Sequence, residues 1–256
     1  MPRVFRPSKI RINVRDHSPT AIAERLDKGP EKSYLKDFIY GAIDGAVTTF
    51  AVVTGVAGAG LSSGIIIVLG LANLLADGFS MGISNFLGSR AENQKRAKIR
   101  KDEAWEIENF PAGEREEIRQ IYAKKGFKGK QLEQLVDVIT SDKKLWIDTM
   151  IQDEHGLPLE DSNPWYAGAA TVIAFILVGF IPLITFIVNW FFPGLIAQPF
   201  LGACLLTALA FALVGTWKGI VVEQNPLWSA LETIIVGGVA ALLAYVVGYF
   251  LKGLVG

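Results

Sequence analysis

The chain has 256 residues, about half of them hydrophobic, and its 25 lysines and arginines are matched by 25 aspartates and glutamates. Zero net charge excludes recruitment to nucleic acid or an acidic surface by bulk charge, and a single cysteine, Cys204, excludes a disulfide framework or a cysteine metal site within one subunit. The charges are also segregated, crowding into residues 1–37 and 89–161 and leaving long apolar stretches elsewhere, which is a membrane pattern.

Residues 1–37 are basic. The opening "MPRVFRPSKIRINVRDHSPT" has no apolar core region behind it, so no cleavable signal peptide is expected. The first apolar segment is expected to direct insertion and to remain. A bilayer core of about 30 Å needs roughly 20 apolar residues in a helix, and five segments fit: 38–60, 64–88, 167–191, 199–221 and 230–252.

The first two spans carry polar residues where lipid would tolerate few. In "YGAIDGAVTTFAVVTG", Tyr40, Asp44 and Thr48 follow one another at one-turn intervals. In "ANLLADGFSMG", Asn73, Asp77, Ser80 and Met81 continue to Ser84 at steps of three or four, which on a helix is one stripe facing protein or water. An ionised aspartate near the bilayer centre costs about 2.5 to 3.5 kcal/mol even on lenient insertion scales, so such residues point to function. Carboxylates and hydroxyls on adjacent helices suit a divalent cation. The polarisable sulfur of Met81 favours a transition metal over Mg²⁺ or Ca²⁺, and a carboxylate so placed can exchange metal for a proton. The competing reading is structural, with Asp44 paired to a polar neighbour and Met81 in plain packing. Gly41 and Gly45, like Gly78 and Gly82, form small-xxx-small pairs that allow close helix approach and leave the partner helix open, self-association included.

Residues 89–166 are too long for a simple connection and are expected to form three helices. The second span is expected to run on without a breaker to Pro111. A second helix then begins at "EREEIRQIYAKKG", with its acidic first turn complementing the helix dipole, and a third runs through "QLEQLVDVITSDKKLWIDTMIQDE" to about Gly156. Glu103 and Glu106 lie before the "FPAG" break, Glu114 and Glu117 after it, and an antiparallel turn would bring the two pairs together. Met150 and Glu154, four apart, give the third helix a face that could close the site. Several carboxylates facing one another require neutralising cations, or else they point to water. A di-iron enzyme core would want Glu-x-x-His pairs, which neither His17 nor His155 supplies. His155 follows Glu154 and could contribute to the glutamate site, but a lone histidine at a helix end is more often a C-terminal cap.

The last three spans are nearly free of charge, with Lys218 and Glu223 marking the inner end of the fourth. Nine basic residues precede Asp37 and fourteen lie between Arg90 and Lys144, against only Lys218 and Lys252 beyond. The N-terminus and the insertion are therefore expected in the cytoplasm and the C-terminus outside. The expected fold is an all-α integral membrane protein: a cytoplasmic segment 1–37, transmembrane helices 1–2 over 38–88, a three-helix cytoplasmic insertion over 89–166, and transmembrane helices 3–5 over 167–256.

The motifs "DGAVTTFAVVTGVAGA" and "ADGFSMGISNFLGSRAE", with the glutamate-rich insertion that follows them, resemble the vacuolar iron transporter family from about Asp37 onward. The resemblance implies five spans, a homodimer with the cation pathway between subunits, and export of Fe²⁺ or Mn²⁺ from the cytosol in exchange for protons, with no prosthetic group and no enzymatic activity. It implies Asp44 and Met81 as intramembrane ligands, and Glu103, Glu106, Glu114, Glu117, Met150 and Glu154 as ligands in the insertion, which the resemblance thus makes a metal-binding domain. One position departs: better-studied members have a glutamate where this chain has Asn73, and Asp77, one turn on, is the candidate replacement. The alternative function is a membrane-anchored metal sensor or store using only the insertion. Compact loops without organellar targeting suggest a prokaryotic plasma membrane, with a vacuolar membrane as the alternative.

Overall fold

The computed structural model describes residues 18–28 and 33–254. His17 and most of the basic N-terminal segment lie outside the described residues. The N-terminal unit, residues 1–33, contributes one described helix, α1 (Pro19–Lys28), whose entry is held by Ala21 N–H donating to Ser18 Oγ at 3.3 Å.

The second unit begins at Tyr34. Helix α2 (Leu35–Gly58) ends in a turn through Gly60, whose φ of +73° suits glycine. Helix α3 (Ser63–Asn109) then runs unbroken for 47 residues, about 70 Å at 1.5 Å per residue and more than twice a bilayer core. The expected continuation of the second span into the insertion is therefore observed. Phe110 closes α3, and Pro111, unable to extend it, opens α4 (Pro111–Lys124) from the first-turn position where proline's missing N–H costs nothing.

Two stretches expected as single helices are divided. The expected third helix of the insertion is two, α5 (Gly129–Ser141) and α6 (Lys143–Asp153), because Asp142 adopts an extended backbone and its carboxylate accepts from Leu145 N–H at 2.9 Å. That is an N-cap and it starts a new helix. The third span is α7 (Pro164–Gly179), a 3₁₀ turn (Ile181–Leu183) and α8 (Ile184–Phe191), because Pro182 interrupts the α-helical hydrogen bonding. The fourth and fifth apolar helices are α9 (Pro199–Val221) and α10 (Pro226–Leu251). Asn163 and Asn225 cap α7 and α10, accepting from Trp165 N–H at 3.0 Å and Leu227 N–H at 3.0 Å. Among the described residues, five helical stretches are long and apolar enough to cross a membrane, at Leu35–Gly58, within Ser63–Asn109, and at Pro164–Phe191, Pro199–Val221 and Pro226–Leu254.

Helix α2 is central to the apolar bundle, packing on α3, α7 and α10. The glycine pairs are used within the chain. A Cβ at Gly41 or Gly45 would collide with the carbonyls of Thr171 and Phe175, one at Gly82 would strike Val172, and one at Gly179 would come within 2.7 Å of the Gly45 carbonyl oxygen. These small residues therefore serve the contacts of α2 and α3 with α7, and self-association draws no support from them. Two apolar cores result. One centres on Phe50, Val53, Leu74, Phe175 and Leu183 in the bundle, and the other on Ile107, Ile118, Val136, Met150 and Ile151 in the insertion.

The ends sort consistently. Lys252 lies against the Gly60 turn at one end. At the other end, Asn163 N–H donates to the Tyr34 hydroxyl at 3.0 Å, Asn93 Nδ2 donates to the Ser162 carbonyl at 2.8 Å, and Arg96 holds the Glu160 carbonyl and pairs with Asp161 at 3.3 Å. These bonds tie the exit from the insertion to the middle of α3. Lys218 pairs with Glu232 at 2.9 Å, joining α9 to α10.

Candidate metal centres

Two clusters stand on α3. In the apolar bundle, Asn73, Asp77 and Met81 lie at steps of four beside the packed face of Leu74, Gly78 and Gly82, and all three are half-buried. Asp44 on α2 is half-buried as well and near enough to Asp77 for their charges to repel. Asp44 and Asp77 therefore stand on the packed helices α2 and α3, within electrostatic reach of each other. Met81 packs at the edge of the bundle core. Asn73 presents a buried Nδ2 with no hydrogen-bond partner, so its amide is not spent on holding the fold.

Of the other residues of the expected stripes, Tyr40 is 62% exposed, Ser80 and Ser84 are exposed on the single chain, and Thr48 donates its hydroxyl proton to the Asp44 carbonyl at 2.8 Å. The stripe has a further member, Asn85, the next step of four after Met81. Its Nδ2 lies 2.9 Å from Asp37 Oδ1, 2.7 Å from Thr171 Oγ1 and 3.2 Å from the Ala167 carbonyl, so its amide clamps α2, α3 and α7 together. The spacing 73, 77, 81, 85 was the signal.

In the insertion, the break at Phe110 folds α4 back on α3. Ligand atoms of Glu103, Glu106 and Glu114 all come within 4.8 Å of one another, and those of Glu103, Glu154 and His155 do the same, so Glu103 belongs to both groups. Glu117 is exposed at the rim, within electrostatic reach of Glu106 and Glu154. Met150 is wholly buried in the insertion core, one turn before Glu154. His155, expected as a cap on helix carbonyls, instead places Nε2 2.8 Å from Glu103 Oε1.

Neutralisation separates these glutamates from most other acids of the insertion, although Glu92 and Asp142 also pair with no lysine or arginine among the described residues. Asp148, also buried, is held by Arg100 at 2.7 Å and Lys144 at 2.8 Å. Arg119 holds Glu116 and Glu133, Arg115 holds Asp137, Lys143 holds Glu108, and Lys125 holds Asp153 at 2.5 Å. Among the described residues, Glu103, Glu106, Glu114 and Glu117 pair with no lysine or arginine, and the one basic neighbour is His155. Glu103 and Glu114 are only 3% and 5% exposed, and each leaves its Oε2 buried without a hydrogen-bond partner. Burying a carboxylate oxygen this way is costly unless something positive arrives to pair with it.

The proton affinities record the same stress. Burial, followed by repulsion from Glu117, Glu103, Glu106 and Glu154, pushes Glu114 up to about 7. Burial also raises Glu103, partly offset by its hydrogen bond to His155, and raises Glu117, with Glu154 and Glu106 adding to it. A carboxylate that, like Glu114, holds its proton to about 7 for want of a cation is suited to exchange that proton for a metal ion.

A family model described as the VIT family matches residues 35–249. The "Vacuolar iron transporter" of Toxoplasma gondii is 36% identical over 230 residues, covering 87% of this chain and 76% of that protein. That of Plasmodium berghei is 32% identical over 238 residues, covering 89% and 87%. The "Vacuolar iron transporter 1" of Arabidopsis thaliana is 30% identical over 226 residues, covering 86% and 89%.

Proposed function

The chain belongs to the VIT family, and from that premise we propose that it is a divalent transition-metal transporter that moves Fe²⁺, and Mn²⁺ with it, out of the cytosol by proton antiport. The observation that carries this reading is the placement of both clusters on one unbroken helix. Met81 and Glu103 stand 22 residues apart on α3, about 33 Å along its axis. The buried, unneutralised glutamates collect the ion from the cytoplasm and concentrate it at the membrane mouth. Asp44, Asp77 and Met81 receive it within the bilayer, with hard oxygens for charge and a thioether for preference toward transition metals. Protonation of the aspartates from the far side then releases it.

The Asp44–Asp77 stripe is half-buried at the margin of the single chain, which is where a second copy would complete the pathway as a homodimer. The relatives' names carry the word vacuolar, which favours a vacuolar membrane over a prokaryotic plasma membrane. In this reading the insertion and N-terminus face the cytosol, as the distribution of lysine and arginine supports.

The test is reconstitution into liposomes loaded with a metal-quenched dye, with an imposed pH gradient. Fe²⁺-dependent quenching that follows the gradient and is lost in Asp44→Asn supports transport. Absence of quenching in the wild type, with metal binding by the full chain intact, supports the second reading of a membrane-anchored sensor or store, which the unneutralised insertion cluster alone would serve.

A further inference from the structure

We propose that His155 is a nitrogen ligand of the ion held by the insertion glutamates and that it biases this cluster toward Fe²⁺, Co²⁺ and Zn²⁺ over Mn²⁺. The inference rests on the reading of the glutamate cluster as the cytoplasmic binding site for the transported ion.

The local fold delivers the imidazole to the cluster. Helix α6 stops at Asp153, and His155 N–H donates back to the Met150 carbonyl at 3.2 Å. Gly156 takes a φ of +64°, and Leu157 N–H donates to the Ile151 carbonyl at 3.0 Å. The chain therefore reverses at Gly156 and turns His155 toward α3. Its Nε2 lies 2.8 Å from Glu103 Oε1 and 3.9 Å from Glu154 Oε2. Glu103 keeps a second oxygen that is buried and without a partner, so its carboxylate has coordinating capacity left after meeting the imidazole.

The spacing suits a shared ion. Two donor atoms each about 2.1 Å from one cation stand about 3.0 Å apart at right angles and about 3.4 Å apart at the tetrahedral angle. The His155–Glu103 pair need open by only a few tenths of an ångström, and the imidazole, 31% exposed, has room to do so. The residue type matters as well. A lysine here would neutralise Glu103 and compete with a metal, whereas a neutral imidazole adds a lone pair. Carboxylate and water donors suit Mn²⁺, and imidazole suits Fe and Zn, so one nitrogen among the oxygens steepens selectivity along the series from Mn²⁺ toward Zn²⁺. The rival role for His155 is to donate Nε2–H to Glu103 and orient it from outside the coordination sphere, which puts no nitrogen on the metal.

The chain has only two histidines, His17 and His155, so the roles can be separated spectroscopically. Tag-free full-length protein in detergent, labelled with ¹⁵N-histidine and loaded with one equivalent of Mn²⁺, is read by pulsed electron paramagnetic resonance. A ¹⁵N coupling in the wild type that vanishes in His155→Gln is expected. No ¹⁵N coupling, or one that persists in His155→Gln, overturns the assignment. In parallel titrations, His155→Gln is expected to weaken Co²⁺ binding about tenfold while changing Mn²⁺ binding by less than about twofold, and equal losses for both ions would overturn the selectivity role. Neither measurement needs transport. Mn²⁺ binding that is unchanged in Glu114→Gln would show instead that the cluster is not the binding site, and would sink the underlying reading along with this one.

Discussion

Replacing Glu114 with glutamine keeps the shape of a buried side chain and removes its charge, so it isolates what that carboxylate does. In the folded protein Glu114 holds its proton up to about pH 7. It is therefore roughly one-tenth ionised at pH 6 and roughly nine-tenths ionised at pH 8. A metal that needs the ionised form must displace that proton, so wild-type affinity is expected to rise about tenfold between pH 6 and pH 8 from this residue alone. Titration of the full-length protein with Mn²⁺ at the two values measures it. Glu114→Gln is expected to bind more weakly at pH 8 and to lose most of that pH-dependent gain. Stability in chelator adds an independent reading. A carboxyl whose pKa is raised by folding stabilises the fold fully below its unfolded value of 4.5, and that contribution is lost as pH rises to about 7. The wild type should therefore soften over that window, regain stability on adding Mn²⁺, and be less stable than Glu114→Gln at pH 8 without metal. An unchanged affinity slope in Glu114→Gln would refute the assignment of the exchanged proton to this residue.

Asp44→Asn is expected to abolish metal-dependent dye quenching in proteoliposomes while leaving Mn²⁺ titration of the insertion cluster unchanged, and loss of both would mean that the two clusters are not separable. Asp77→Asn is expected to reduce transport and alter its dependence on the pH gradient; wild-type behaviour would show that Asp77 does not stand in for the carboxylate missing at Asn73. Gly45→Val places a side chain against the Phe175 carbonyl and is expected to cost about 1–3 kcal/mol, read as a lowered melting temperature in detergent. No change there would mean that α2 and α7 separate more readily than their packing implies.

Much of the architecture is legible because it depends on local chemistry. The 47-residue α3 is visible as the absence of any breaker between Ser63 and Pro111, and the five spans as apolar runs of bilayer length. The two divided helices show where local reading thins out. Asp142 is a plain N-cap signal, but it lies within a pattern apolar enough to read as continuous. Pro182 lies in a run whose hydropathy says nothing about hydrogen bonding. The glycine pairs announce close packing without naming a partner, and only the fold assigns them to α7.

The insertion cluster is legible at a different level. Spacing places Glu103 and Glu106 opposite Glu114 and Glu117 once the chain turns at "FPAG", but acidic pairs at that spacing also decorate solvated helices. What separates this cluster from such a surface is the pairing of most other acids, and several of those partners come from well along the chain: Glu133 from Arg119, Glu108 from Lys143, Asp148 from Arg100. A chain of 25 basic and 25 acidic residues is balanced on average and unbalanced here, because no lysine or arginine of the described residues pairs with Glu103, Glu106, Glu114 or Glu117. The position of His155 is likewise set by contacts distant in sequence. Its place beside Glu103 depends on the reversal at Gly156, and the helix-end position that suggested a cap is what allows it to turn toward the buried glutamates that pair with no lysine or arginine among the described residues.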